Sequence, residues 1–276
     1  INPTTATTEF PLPTPTSLIR TKEWNFTDNL DGTMDMQFRT KDRKGIIHIE
    51  VATSHAKADD WVQKYVINRR IKYLGLDLEW KPNWNGGQAQ SRASLLQISA
   101  KDHVLILQTF YLTPLQLPEK VKAILADKSI LKAGTGVDGD ADKLKKDWKT
   151  NVFGLFDLSD EMKRRCGEPT YISLAKVTAK MIGVDMCKDK KVTMSNWESR
   201  RLTLSQIRYA AIDAWVGSEV ARVLETYPVL FAPDTPVGKR GAKAEEEEAG
   251  DEDSDAEVGS KRPSDEERAY GELFKK

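Results

Sequence analysis

The sequence predicts an α/β domain in which helices pack on the faces of a mixed β-sheet. Short apolar runs of strand length follow one another between residues 45 and 108. A glycine-rich turn after Ile130 leads from a strand into a helix, and a long segment after Thr203 repeats its apolar residues with helical spacing. Strands first and helices later, within one stretch of chain, make a layered α/β unit. The 276 residues suffice for one domain of about 200 residues with tails on either side.

Taken in order, residues 1–24 read as a flexible, Thr- and Pro-rich lead-in without periodicity, and residues 25–230 as the folded domain. The first part of that domain, residues 25–38, gives a mixed signal. Residues 45–52 (GIIHIEVA) form a β-branched strand in which His48 is a polar-face residue, and residues 56–70 place Trp61, Tyr65 and Ile67 at helical spacing. Residues 74–80, 94–99 and 104–108 are strands, the last two joined through a tight turn at 100–103 as a hairpin or meander. A helix begins at Pro118 and runs to residue 126, and a short strand occupies 130–133. The remainder to about residue 227 is mainly helical. Its last helix opens with a capping box, Thr203 as N-cap and Gln206 three residues on, and stops at Tyr227-Pro228.

The chain carries 42 basic and 42 acidic side chains, unevenly placed. From residue 233 onward there are 14 acidic and 8 basic residues, which leaves 28 acidic and 34 basic in residues 1–232. A mildly basic body is compatible with an anionic partner. Nine of the thirteen residues from 245 to 257 are acidic, so residues 231–276 read as a disordered acidic tail kept open by self-repulsion. Ser254 and Ser264 precede acidic residues and fit an acidophilic kinase; an inert solubilising tail is the alternative. Cys166 and Cys187 lack metal-ligand spacing and read as free thiols of a reducing compartment. No apolar run approaches the ~18 residues that would span a bilayer, so no membrane partner is expected. The chain opens on Ile1 rather than Met, so a natural start is expected upstream.

Residues 74–80 (LGLDLEW) carry the sharpest signal. With period two, Leu74, Leu76, Leu78 and Trp80 share one face, and Gly75, Asp77 and Glu79 the other. Two carboxylates about 6–7 Å apart repel by about 2–3 kcal/mol at an effective dielectric near 20, before desolvation. Either the polar face meets water or a divalent cation compensates the charge. Two further stretches bear on the choice. In residues 132–144 (KAGTGVDGDADKL), glycines let a strand turn into a helix and place Asp138, Asp140 and Asp142 near its start, an arrangement that also suits plain helix capping. It lacks the Lys-Ser/Thr ending of a P-loop and the full dinucleotide glycine pattern. In residues 209–213 (YAAID), i, i+4 spacing sets Tyr209 and Asp213 on one helical face, which a local hydrogen-bonded pair would also do.

Asp-x-Glu on a strand, a glycine-flanked Asp and Tyr-x-x-x-Asp on a late helix occur here in that order. The chain thereby resembles the DEDDy 3′–5′ exonuclease superfamily. YLGLDLEW, ASLLQIS, LKAGTGVDGDADKL, SLAKVTAKMIG, KVTMSNWESRRLT and IRYAAIDAWVG are similar to the exonuclease domain of Werner-syndrome-type proteins, over residues 45–226. The resemblance implies a ribonuclease-H-like fold with the carboxylates converging at one edge of the sheet. It matches Asp77 and Glu79 to the first motif, Asp140 to the second, with Asp138 as runner-up, and Tyr209 and Asp213 to the third.

The same resemblance implies two Mg²⁺ or Mn²⁺ ions held by Asp77, Glu79, Asp140 and Asp213. Asp77 would bridge them, Asp140 would bind directly or through water, and Tyr209 would orient the attacking water. The sister subfamily uses a His near the last Asp, and His48, His55 and His103 all lie far from Asp213 in the chain. The implied activity is release of 5′-nucleoside monophosphates from a free 3′ end, of DNA first. An exoribonuclease of the ribonuclease D type and an inactive nucleic-acid-binding scaffold are the alternatives. Residues 188–191 (KDKK) and 195–197 (SNW) are expected near the substrate mouth, with a packing role for Trp197 equally open. No helicase motif is present, so any unwinding would come from a helicase or repair partner, and a nuclear location goes with a DNA substrate.

Overall fold

The computed structural model describes residues 18–29, 33–83, 90–187 and 189–231. The chain enters through a two-residue strand, β1 (Ile19–Arg20), and builds three antiparallel neighbours, β2 (Phe26–Asp28), β3 (Thr33–Arg39) and β4 (Lys44–Ala52). Helix α1 (His55–Val62) is capped by the Ser54 side chain and relaxes into a wide π-type turn at Gln63–Ile67. An antiparallel meander follows, β5 (Tyr73–Glu79), β6 (Leu95–Ala100) and β7 (His103–Leu107). Then come α2 (Glu119–Ala126), β8 (Leu131–Gly134), α3 (Val137–Trp148), β9 (Leu155–Asp157), α4 (Leu158–Cys166), α5 (Leu174–Ile182), β10 (Val184–Asp185), α6 (Lys190–Thr193) and α7 (Leu204–Leu224).

Eight strands form one sheet in the order β2-β3-β4-β7-β6-β5-β8-β9, and β1 pairs with β10 apart from it. The β4–β7, β5–β8 and β8–β9 pairs are parallel, so the sheet is mixed, as the sequence predicts. Each face carries its own apolar core. Leu74, Leu76 and Leu78 join Trp61 of α1, Val121 of α2 and Leu144 of α3 on one face. The other face packs on α7, where Trp215, Val216 and Val220 are fully buried. Period-two alternation in β5 therefore separates two cores, and its second face meets a helix instead of water.

That second face is tight. A Cβ on Gly75 would lie 1.8 Å from the Ala214 carbonyl oxygen, and one on Gly217 would lie 2.8 Å from that of Ala133. Glycine at both places lets α7 lie against β5 and β8 at backbone distance. Ser99 Oγ locks the approach, donating to the Ala214 carbonyl at 2.8 Å while accepting from the Gly75 N–H at 3.2 Å.

The differences from expectation are local. Trp80 lies beyond the end of β5, half-buried, with the Lys143 ammonium 4.5 Å above its ring. The helix expected over 56–70 ends its regular part at Val62. The mixed-signal stretch holds β2 and most of β3. The lead-in does not extend to residue 24: β1 pairs with β10, and Trp24, only 4% exposed, meets Trp215 edge-on at 5.6 Å. The earlier lead-in, the tail from residue 232 with Ser254 and Ser264, and Lys188 lie outside the described residues. Among the described residues no helix is long and apolar enough to cross a membrane, and Cys166 and Cys187 are free thiols.

Candidate metal centre

The alternation that sends the β5 leucines into one core points Asp77 and Glu79 at the other face, beneath α7. The close approach at Gly75 brings Asp213, the neighbour of Ala214, down to meet them. One carboxylate oxygen from each of Asp77, Glu79 and Asp213 lies within 4.8 Å of the other two. Glu79 is 9% exposed and Asp213 8%, while Asp77 is half-buried. At about 5 Å and an effective dielectric near 20, each pair of charges repels by about 3 kcal/mol. A divalent cation offsets that repulsion, and three carboxylates are the hard oxygen donors that Mg²⁺ or Mn²⁺ takes.

Tyr209 sits one helical turn before Asp213 and hydrogen-bonds to it. Burial, then the charges of Asp213, Glu79 and Asp77, push its phenol far above the ordinary tyrosine range, so it keeps its proton. Its ring lies 6.1 Å from that of Trp197, which is fully buried and donates its indole N–H to the Thr193 carbonyl at 3.0 Å. Gln206, the far half of the capping box, also donates to Ser195 Oγ at 2.9 Å and to the Asn196 carbonyl at 3.2 Å. The SNW turn is thus packed against the start of α7, and Trp197 takes the packing role. Asp189 and Val192, beside it in the chain, line the cavity described next.

Asp140 lies in the first turn of α3 and is 5% exposed. It stands outside the close three-carboxylate group but lines the same cavity, a space of about 2290 Å³ that also reaches Asp77, Glu79, Tyr209 and Asp213. Asp138 lines the same cavity but is exposed, and its carboxyl is held above the usual range by desolvation and then by Asp160 and Asp142. Of the two, Asp140 is the more buried.

Two features of the cavity wall are absent from the sequence reading. Lys143, buried on the cavity wall, forms an i, i+4 ion pair of 2.9 Å with the half-buried Asp147. Lys143 Nζ also donates to the Ser91 carbonyl at 2.7 Å, and Asp147 accepts from the Ala93 N–H at 2.9 Å, which ties the approach to β6 onto α3. The Lys-x-x-x-Asp spacing was the available signal, but it looks like any solvated helix pair. The second is Asp157, whose carboxylate accepts from the first N–H groups of both α3 and α4. The string FDLSD announces an N-cap for α4 and nothing of α3.

An eight-stranded mixed sheet, helices on both faces and carboxylates gathered beside its fifth strand define an RNase D-like exonuclease domain fold. The chain belongs to the 3′–5′ exonuclease family, whose model matches residues 49–227. A 3′–5′ exonuclease of Arabidopsis thaliana is 27% identical over 158 residues, covering 57% of this chain and 54% of that protein. The bifunctional 3′–5′ exonuclease/ATP-dependent helicase WRN of Mus musculus is 33% identical over 147 residues, 52% of this chain and 10% of the relative. The match thus spans about half the length of the plant relative and a tenth of the mouse one. Among solved structures, Trypanosoma brucei RNase D shares the fold with a TM-score of 0.57 at 21% identity, over 64% of each chain. The Aedes aegypti Nibbler EXO domain does so with 0.53 at 23% identity, over 64% of this chain and 87% of that one.

Proposed function

We propose that this chain is a divalent-cation-dependent 3′–5′ exonuclease that releases 5′-nucleoside monophosphates one at a time, from DNA first and RNA second. The observation that carries the reading is the convergence of Asp77, Glu79 and Asp213 within 4.8 Å, with Tyr209 hydrogen-bonded to Asp213. When bound, Mg²⁺ or Mn²⁺, two ions in this reading, lowers the pKa of the attacking water and stabilises the leaving 3′ oxygen. Asp77, Glu79 and Asp213 would hold the cation, with Asp140 contributing from the same cavity. The Tyr209 phenol orients the attacking water by a hydrogen bond and, while it keeps its proton, adds no negative charge to the four carboxylates. With α7 and β5 in backbone contact, the carboxylates are set before substrate arrives, so no rearrangement of the protein is required at the moment of reaction.

The Werner-type resemblance of six motif stretches supports DNA. An RNA substrate is the second reading, because the fold is shared with a Trypanosoma brucei RNase D solved with RNA U12, at a TM-score of 0.55 and 20% identity. A scaffold without activity is disfavoured by the presence of all four acids and the tyrosine. A nuclear location and a helicase or repair partner belong with the DNA reading. The test is 5′-labelled DNA in a 3′-recessed duplex beside a matched RNA strand, with Mg²⁺, Mn²⁺ or EDTA. Stepwise shortening from the 3′ end that EDTA abolishes is expected, and the ratio of rates selects the substrate. Binding of both strands without shortening would replace the enzyme with the scaffold.

A further inference from the structure

Asp157, the last residue of β9, uses its two oxygens on two different helices. Oδ1 accepts from the backbone N–H groups of Ser159 at 2.8 Å and Asp160 at 3.2 Å, the start of α4. Oδ2 accepts from those of Gly136 at 2.6 Å and Val137 at 3.3 Å, the start of α3. Helix α3 has no capping side chain of its own: its N-cap is Gly136, in the left-handed region at φ 70°. The unpaired N–H groups of a helix start need acceptors, and here a different element supplies one.

The place matters because the first turn of α3 holds Asp140, which faces the same cavity as Asp77, Glu79 and Asp213. Gly134, just before that turn, leaves no room for a side chain: a Cβ there would lie 2.9 Å from the carbonyl oxygen of Leu76, the residue before Asp77. The turn is therefore held against β5 by Gly134 and against α4 by Asp157. Capping α4 alone would need one oxygen, which Ser, Thr or Asn supplies as well as Asp. A carboxylate is also unfavourable at this position, since burial and then the Asp160 charge hold its acid above the usual range. The second oxygen and its bond to α3 account for its use.

We propose that Asp157 is a positioning residue of the metal centre: by bridging the first turns of α3 and α4 it fixes where Asp140 stands relative to Asp77, Glu79 and Asp213. The inference rests on the reading of these carboxylates as cation ligands. A Ser at 157 still caps α4 but is too short to reach Gly136, so it severs the bridge and keeps the local cap.

The experiment compares wild type, Asp157→Ser, Asp140→Asn and the double variant, each as the 276-residue chain, by Mn²⁺ calorimetry, 3′-end cleavage and urea unfolding. Asp157→Ser is expected to stay folded with a modestly lower urea midpoint from the lost α3 cap, while Mn²⁺ affinity and kcat each fall about tenfold with KM little changed. In the Asp140→Asn background the same substitution is expected to change neither affinity nor kcat, since the residue it positions is already altered. If Asp157→Ser does not fold, Asp157→Asn, which keeps an acceptor for one helix, enters the same cycle. Wild-type affinity and kcat in the single variant, or a loss that persists in full beside Asp140→Asn, would make Asp157 a plain helix cap. A wild type that neither binds Mn²⁺ nor cleaves would overturn the reading of the site and this inference with it.

Discussion

A phenol surrounded by carboxylates can serve as a hydrogen-bonding group or, once ionised, as a base, and the raised pKa of Tyr209 favours the first. Burial, then the charges of Asp213, Glu79 and Asp77, raise its pKa in the cation-free site, and a bound divalent cation would offset those charges. Tyr209→Phe is expected to keep the fold and KM and to lower kcat by about 10²-fold, as steady-state kinetics would show. An unchanged kcat would remove Tyr209 from the chemistry. His103 shows the same electrostatics applied to stability. Its ring is stacked on Tyr65 at 3.9 Å and on His48 at 4.9 Å. Burial, then the charges of Arg69, His48 and Lys64, lower its pKa from 6.5 to about 4, against a small opposing pull from Asp102. The unfolded chain therefore binds more protons than the folded one between about pH 4 and 6.5, and stability falls as pH drops through that window. Urea midpoints at pH 7 and pH 4.5 should draw closer together in His103→Gln; an identical drop in both proteins would assign the acid sensitivity elsewhere.

At the scale of elements, the β5–α7 contact decides whether the site exists. Asp77 and Glu79 come from one element and Asp213 from the other, with Gly75 between them. Gly75→Ala would drive a methyl group to 1.8 Å from the Ala214 carbonyl oxygen. The helix must then lift, at a cost of about 3 kcal/mol or more, and the three-carboxylate group opens with it. Urea unfolding and Mn²⁺ binding should both report the loss; full Mn²⁺ affinity in a destabilised protein would separate the contact from the site. Much of this was legible. The alternation in LGLDLEW, the capping box at Thr203 and the Tyr-x-x-x-Asp spacing are short-range patterns that the structure keeps. What could not be read depended on partners distant in the chain. Gly75 looks like any strand glycine until α7 lies over it. β9 spans only Leu155–Asp157 and is a strand because β8 is beside it. Trp24 reads as part of a lead-in until Trp215 and Phe38 surround it. The second oxygen of Asp157 depends on a helix start twenty residues upstream.

For the whole molecule, the sheet carries the three-carboxylate group of Asp77, Glu79 and Asp213 on one face, reached from a cavity that α3, α4 and α7 help to wall. A single strand entering such a cavity is held mainly through its phosphates, so raising salt from about 50 to about 200 mM should raise KM steeply and change Mn²⁺ affinity far less. A flat KM would indicate recognition through bases or sugars. The most direct measurement is the rate of mononucleotide release from a single-stranded 3′ end as Mn²⁺ is titrated, for wild type and Asp77→Asn side by side. Release that rises with Mn²⁺, stops with EDTA and is at least about 10³-fold slower in a folded Asp77→Asn is the expected result. Cleavage that continues in EDTA, or at the wild-type rate in Asp77→Asn, would contradict the assignment of Asp77, Glu79 and Asp213 as the seat of a metal-dependent exonuclease.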